Sequence, residues 1–183
     1  MGAAKVLRTQ LAGDDIVVAP GCFNAMGARI IEKTGFNTGY ISGYGVSVNH
    51  IGRPDVGLAT QTEMTDVAGK VASAVSIPVI CDADTGYGNA INVMRTVEEF
   101  IKSGVAGIHL EDQIAPKRCG HVAGKQVISI EEAAGKIRAA ARVRDEMDPD
   151  FVLIARCDAR GVAGGSLDDA ITRLKAYREA GAD

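Results

Sequence analysis

The chain has 183 residues, 46% apolar and 23% charged, with a formal net charge of −3. That is an ordinary globular balance, long enough to bury a sizeable core, and it predicts one domain over residues 1–183. No block of like charge is present to attract nucleic acid or an anionic membrane surface, and no apolar run approaches the ~20 residues that span a bilayer. The N-terminus has no apolar signal core, and Val6 stands where the Met-Gly acylation pattern wants Ser or Thr, so the expected location is cytoplasmic. Four widely spaced cysteines, Cys22, Cys81, Cys119 and Cys157, form no CxxC pair, so a disulfide framework is not expected.

Taken in chain order, short apolar runs alternate with helical patterns. "IVVA" (16–19) reads as the first strand, and Gly35 ends the helix after it. "GYIS" (39–42) and "IPVIC" (77–81) follow as strands, and after Asn89 the residues Val93, Met94, Val97, Phe100 and Ile101 recur at helical spacing. "GIHL" (107–110) is the fourth strand. Ser129 with Glu132 then predicts a capping box, opening a helix with Ile130, Ala133, Ala134, Ile137 and Ala140 on one stripe. "FVLIA" (151–155) is the fifth strand, and Ser166 caps a helix running toward Ala180.

The strand runs are apolar throughout rather than alternating, as in a parallel sheet covered on both faces. Five strand–helix units fit either a doubly wound sheet or the first five units of a (β/α)8 barrel, and pattern alone leaves both open. In both folds ligands gather at the carboxyl ends of the strands. Every chemically suggestive stretch falls there: "PGCFNA", "SGYG", "DADTGYGN", "EDQ" and "RCDAR".

Asp82 and Asp84, two apart on a strand end, are expected to share one face, where their mutual repulsion calls for a cation. A hard divalent ion, Mg²⁺ with Mn²⁺ as a variant, suits oxygen ligands, and Glu111 at the next strand end is placed to hold one of its waters. The competing reading is that the two aspartates cap the following turn. An EF-hand is excluded, because the later ligands and the closing Glu are missing. Cys119 stands among Lys117, Arg118 and His121, separated from the last by Gly120; neighbouring cations favour thiolate, and the glycine-containing setting predicts a mobile loop. Arg156 is expected to face the same site and take a carboxylate in a two-pronged bond. "SGYG" offers backbone N–H groups to an anion, or is simply a tight turn. His109 shares a face with Glu111, which a packed strand histidine explains equally well. "GVAGGS" (161–166) has neither GxGxxG order nor a P-loop lysine.

"SGYGVSVNHIGRPDVGLAT", "DADTGYGN", "GIHLEDQ", "PKRCGH" and "LIARCDA" together resemble, in order and spacing, the isocitrate lyase/phosphoenolpyruvate mutase superfamily, and "KRCGH" resembles its lyase branch. That resemblance implies a (β/α)8 barrel, a homotetramer and Mg²⁺. It also implies a chain that normally continues beyond residue 183, so that this sequence supplies about five of the eight units and is truncated at its C-terminus. It casts Asp82 and Asp84 as metal-proximal acids and Glu111 as a water-mediated ligand. Cys119 becomes the catalytic cysteine, Asp55 a second loop acid, and Ser42, Gly43 and Tyr44 the segment holding a substrate carboxylate. Arg156 is the carboxylate-binding arginine, with Lys117, Arg118, Gly120 and His121 contacting substrate from the loop. The implied reaction is cleavage of a carbon–carbon bond in a 2-hydroxy di- or tricarboxylate, giving an oxo acid and a carboxylic acid. Tyr44 resembles the dimethylmalate-lyase, petal-death-protein and oxaloacetate-hydrolase relatives. Hydrolysis of oxaloacetate, phosphorus–carbon chemistry and a non-catalytic fragment are the alternatives.

Overall fold

The computed structural model describes residues 2–183. Its sheet has five parallel strands in the order β1-β2-β3-β4-β5: β1 (Gly21–Cys22), β2 (Gly39–Ile41), β3 (Val79–Asp82), β4 (Gly107–Glu111) and β5 (Val152–Arg156). Each strand lies beside its sequence neighbour. A doubly wound sheet reverses its strand order part-way, so this sequential order is that of a barrel. The helices agree, because the main core lies on one face of the sheet only. Ile41, Cys81, Ile108, Leu110 and Leu153 meet α2 (Ala25–Lys33), α4 (Gln61–Ala72), α5 (Ala90–Ser103), α6 (Ile130–Met147) and α7 (Leu167–Glu179) there.

Local sequence explains the helix ends. Asn89 caps α5 by accepting from the N–H groups of Ile91 and Asn92, and the expected stripe follows, with Val93, Val97 and Phe100 buried. Removing a fully enclosed side chain such as Phe100 typically costs about 3–5 kcal/mol. Ser166 caps α7 through the Asp169 N–H, and Phe36 N donates to Ile31 O just past α2, around Gly35.

Three details differ from the sequence reading. Residues 16–19 form no strand: Ile16 and Val18 are exposed, and the ladder begins only where Tyr40 N donates to Pro20 O. Three helices are not foreseen by the apolar periodicity, α1 (Ala3–Leu11), α3 (Gly43–His50) and α4, although Thr60 and Glu63 form a reciprocal capping box at the start of α4. At α6 only half of the expected box is made: Ser129 accepts from the Glu132 N–H without a return bond. Helix α1 closes the amino end of the strands, with Leu7 buried against Ile80, Ala106 and Val152, and Arg8 bonded to Asp150 O, Phe151 O and the Asp183 carboxylate.

No helix among the described residues is long and apolar enough to cross a membrane.

Candidate functional site

Strand register and alternation build the site. Asp82 pairs in register with His109, His109 with Ile154, and Glu111 with Arg156. Residues in register share a face, so Asp82, His109, Glu111 and Arg156 all point away from the helix layer, toward the carboxyl end. Among the described residues, ligand atoms of Asp82, His109 and Glu111 lie within 4.8 Å of one another. His109 Nε2 is 2.9 Å from Asp82 Oδ1 and 3.8 Å from Glu111 Oε1, and Tyr40 stacks on its ring with the phenol oxygen 3.4 Å from Nδ1.

The segment after β2 is the start of a helix rather than a tight glycine turn. Ser42 caps α3 (Gly43–His50) by accepting from the Gly45 N–H, and the Gly43 N–H donates to Asp82 Oδ2 at 3.2 Å. A Cβ on Gly43 would sit 2.5 Å from that oxygen, so glycine is what lets the acid and the helix end meet. Tyr44 is exposed at the mouth.

Asp84 does not extend the strand. The ladder stops at Asp82, the backbone turns with φ +48° at Asp84, and the Asp84 N–H folds back onto Asp82 Oδ1 at 2.9 Å. The Asp84 carboxylate instead meets Lys117 at 2.6 Å, and the same ammonium holds Asp55 at 2.5 Å. Lys117 is therefore a buried tie between two loops rather than a free cation beside the thiol. Arg118 is likewise committed, donating to Ala123 O. Of the residues flanking Cys119, His121 faces the cleft, and Gly120 leaves room for the Arg156 guanidinium, which a Cβ would strike. Cys119 itself is half-buried, its N–H bonded to Asp55 O at 3.1 Å.

Arg156 bridges Glu111 at 2.7 Å and Asp158 at 3.2 Å, with a third of its side chain open to solvent. The contributor that sequence reading passed over is Gln113. It is fully buried, and its amide nitrogen lies 2.8 Å from Glu111 Oε2, 2.9 Å from Asp158 Oδ2 and 3.0 Å from Arg118 O, while its oxygen accepts from the Arg118 N–H. It joins the strand end to the base of the Cys119 loop. Its position in "EDQ", on the same side as Glu111, was the available signal. His109 had the same signal.

The acids are short of counter-charge. Burial, then the neighbouring Asp82 charge, pushes Glu111 up to about 7 against the pull of Arg156; the same two causes raise Asp84 to about 6 against Lys117. Burial also acts on Asp82, but the closeness of His109, 2.9 Å away, with help from Lys117, outweighs it and holds that carboxyl below its usual range. Of the two neighbouring aspartates, Asp82 is the one that ionises first. Although close to their partners, His109 Nε2 and Asp84 Oδ1 are buried without an aligned hydrogen bond. A cluster of buried oxygen donors, in which burial and the Asp82 charge raise Glu111, fits a hard divalent cation at Asp82 and Glu111. His109 is a third donor within reach, and Asp84 stands behind, held by Lys117.

Tyr40, Ser42, Tyr44, Asp55, Asp82, Glu111, Cys119, Gly120, His121 and Arg156 line one cleft of about 350 Å³. It collects a metal-competent acid pair, a thiol, a guanidinium and a hydroxyl.

Known proteins resemble this chain throughout. The family described as phosphoenolpyruvate phosphomutase matches residues 7–183. A 2,3-dimethylmalate lyase of Eubacterium barkeri is 51% identical over 183 residues, which is 100% of this chain and 62% of that protein. An oxaloacetate acetylhydrolase solved with the inhibitor 3,3-difluorooxalacetate superposes with a TM-score of 0.95 at 44% identity, covering 100% of this chain and 62% of the other. A phosphonopyruvate hydrolase solved with oxalate and Mg²⁺ gives a TM-score of 0.91 at 36% identity, again over 100% of this chain and 62% of its own. The chain thus spans less than two-thirds of the length of each of these relatives.

Proposed function

The chain belongs to the phosphoenolpyruvate phosphomutase family, within the phosphoenolpyruvate mutase/isocitrate lyase superfamily, and from that membership we propose that it is a divalent-cation-dependent lyase of 2-hydroxy dicarboxylates of the 2-alkylmalate type, with methylisocitrate-type substrates second. The observation that carries the reading is the single cleft in which Cys119 faces Asp82, Glu111 and Arg156. The similarity to 2,3-dimethylmalate lyase supports the choice of substrate class, and the phosphonopyruvate hydrolase solved with Mg²⁺ supports that ion.

Bound at Asp82 and Glu111, Mg²⁺ would polarise the hydroxyl and carboxylate oxygens of the 2-hydroxy acid. Arg156 presents its solvent-facing N–H groups to a substrate carboxylate. Asp55, lining the cleft, accepts the 2-hydroxyl proton; the C2–C3 bond breaks with its electron pair passing to C3. Cys119 then delivers its proton to C3. The products are an oxo acid and a carboxylic acid, and solvent returns the proton from Asp55 to the thiolate.

The test is product release with Mg²⁺ from 2,3-dimethylmalate, 2-methylisocitrate, isocitrate and oxaloacetate, using the native chain and Cys119→Ser. Pyruvate release that falls about 10²–10⁴-fold in Cys119→Ser at unchanged melting temperature is expected. A second reading, hydrolysis of oxaloacetate, is favoured by the fold match at TM-score 0.95; oxalate release in place of pyruvate would select it. Turnover confined to a phosphonate would move the assignment to phosphorus–carbon chemistry. Silence from a folded chain would sink the lyase reading.

A further inference from the structure

Beside the polar cleft, on the other side of Cys119, lies a second chamber of about 480 Å³, bounded by Tyr44, Pro54, Asp55, Val56, Arg118, Cys119, His121 and Val122. Its surface is apolar almost throughout. Tyr44, Val56 and Val122 are exposed, at 55%, 38% and 51%, and large side chains left open together beside a reactive group mark a place where something apolar binds. The chamber is built rather than accidental. The Cys119 N–H bonds Asp55 O, and Lys117 grips the Asp55 carboxylate, so the loops carrying Val56 and Val122 are locked on either side of the thiol.

The charged groups at its border are directed elsewhere. Asp55 turns to Lys117, and the Arg118 guanidinium donates to Ala123 O and packs against Gly124. His121 and the Arg118 N–H groups not used on Ala123 O are left at the rim, and the rest of the surface is apolar. Tyr44, Asp55, Cys119 and His121 border both spaces, so the chamber is the apolar space that adjoins the thiol and the polar cleft.

We infer that this chamber takes the alkyl substituent on the carbon that Cys119 protonates, and that Val56 and Val122 set the tolerated chain length. This rests on the lyase reading for the identity of the substrate, but the chamber can be tested without turnover.

The first arm alkylates the native chain, without metal, with N-methyl-, N-ethyl- and N-butylmaleimide. The sulfur bonds to one alkene carbon as the π bond breaks, and the thiol proton ends on the other carbon. Rates at Cys119 are followed by peptide mass, which separates it from Cys157, and are divided by those of a small free thiol. The expected result is a ratio rising about two- to fourfold per methylene, the range given by burying hydrocarbon, and levelled in both Val56→Asp and Val122→Asp. These side chains are exposed enough that either variant should fold, and the two act from different loops. The second arm compares turnover of 2-methylmalate, 2,3-dimethylmalate and its 3-ethyl homologue; kcat/KM should rise with the 3-substituent in the native chain and fall with it in the variants. A rising alkylation slope levelled by both variants supports the chamber even if no hydroxy acid is cleaved, an outcome that removes the lyase reading alone. A ratio independent of chain length overturns the inference, even where cleavage is observed.

Discussion

Asp183, at the amino end of the strands, and Glu111, at their carboxyl end, are carboxylates on one sheet with opposite surroundings. Asp183 receives both Arg8 and Arg144 at 2.9–3.0 Å, and the Leu153 N–H at 2.9 Å. Partial burial raises its carboxyl, but the Arg8 and Leu153 bonds and the Arg144 charge outweigh that and hold it below the usual range. Glu111 has a single arginine, shared with Asp158, and its carboxyl is pushed up to about 7. The lesson is one of allocation: at the amino end charge is matched within the fold, while at the carboxyl end negative charge is left in excess, as a site for a cation requires. That division is the usual one between the two faces of a barrel.

The sharpest way to break the comparison is Lys117→Met. Lys117 is the buried ammonium at the carboxyl end that Asp55 and Asp84 share. Removing it leaves two acids with no counter-ion, and the expected loss is about 3–5 kcal/mol, measured by denaturant unfolding. A loss below about 1 kcal/mol would show that the carboxyl end tolerates unmatched charge even there.

Next in size is the response to Mg²⁺. A carboxyl raised in the folded state holds a proton that the unfolded chain has already lost, so for Glu111 stability falls as pH rises between about 4.5 and about 7. A cation replaces that proton. The rise in melting temperature on adding Mg²⁺ should therefore be larger above about pH 7 than below it, with apparent affinity weakening up to about tenfold per pH unit on the acid side. A shift independent of pH would detach Glu111 from the metal.

Asp183→Asn probes the other end. With a lowered pKa, Asp183 contributes stability that is present above the unfolded carboxylate pKa and lost as pH falls through the folded one. The substitution should cost about 1 kcal/mol at neutral pH, after allowing for solvent screening, and should leave the Mg²⁺ response untouched. A changed Mg²⁺ response would mean that the two ends are coupled.

Much of the site is legible in the sequence because strand alternation is a local rule. Alternation alone puts positions 82, 111 and 156 on one face, and it puts 109 there by the same signal, although a packed histidine explained that position equally well. What resists reading depends on long-range meetings. Lys117 looks like a cation beside Cys119 because the two are close in sequence; only the approach of residues 54–57 to the loop turns it toward Asp55 and Asp84. The first strand is misplaced for a related reason: "IVVA" is apolar enough for a strand, yet sheet pairing starts at Pro20.

Helix caps give the smallest effect and test that boundary directly. Ser129 with Glu132 and Thr60 with Glu63 have the same spacing, and only the first stood out in the sequence. In the structure the second is the complete box: the Thr60 hydroxyl accepts from the Glu63 N–H, and the Glu63 carboxylate accepts from both the Thr60 N–H at 2.8 Å and its hydroxyl. Ser129 makes a single bond. Thr60→Ala should therefore cost about 1 kcal/mol, and Ser129→Ala roughly half of that, in paired unfolding measurements. Equal losses would mean that the extra bond from the Thr60 hydroxyl to the Glu63 carboxylate adds nothing at an exposed helix end, so that spacing alone, which sequence does report, carries what both side chains contribute.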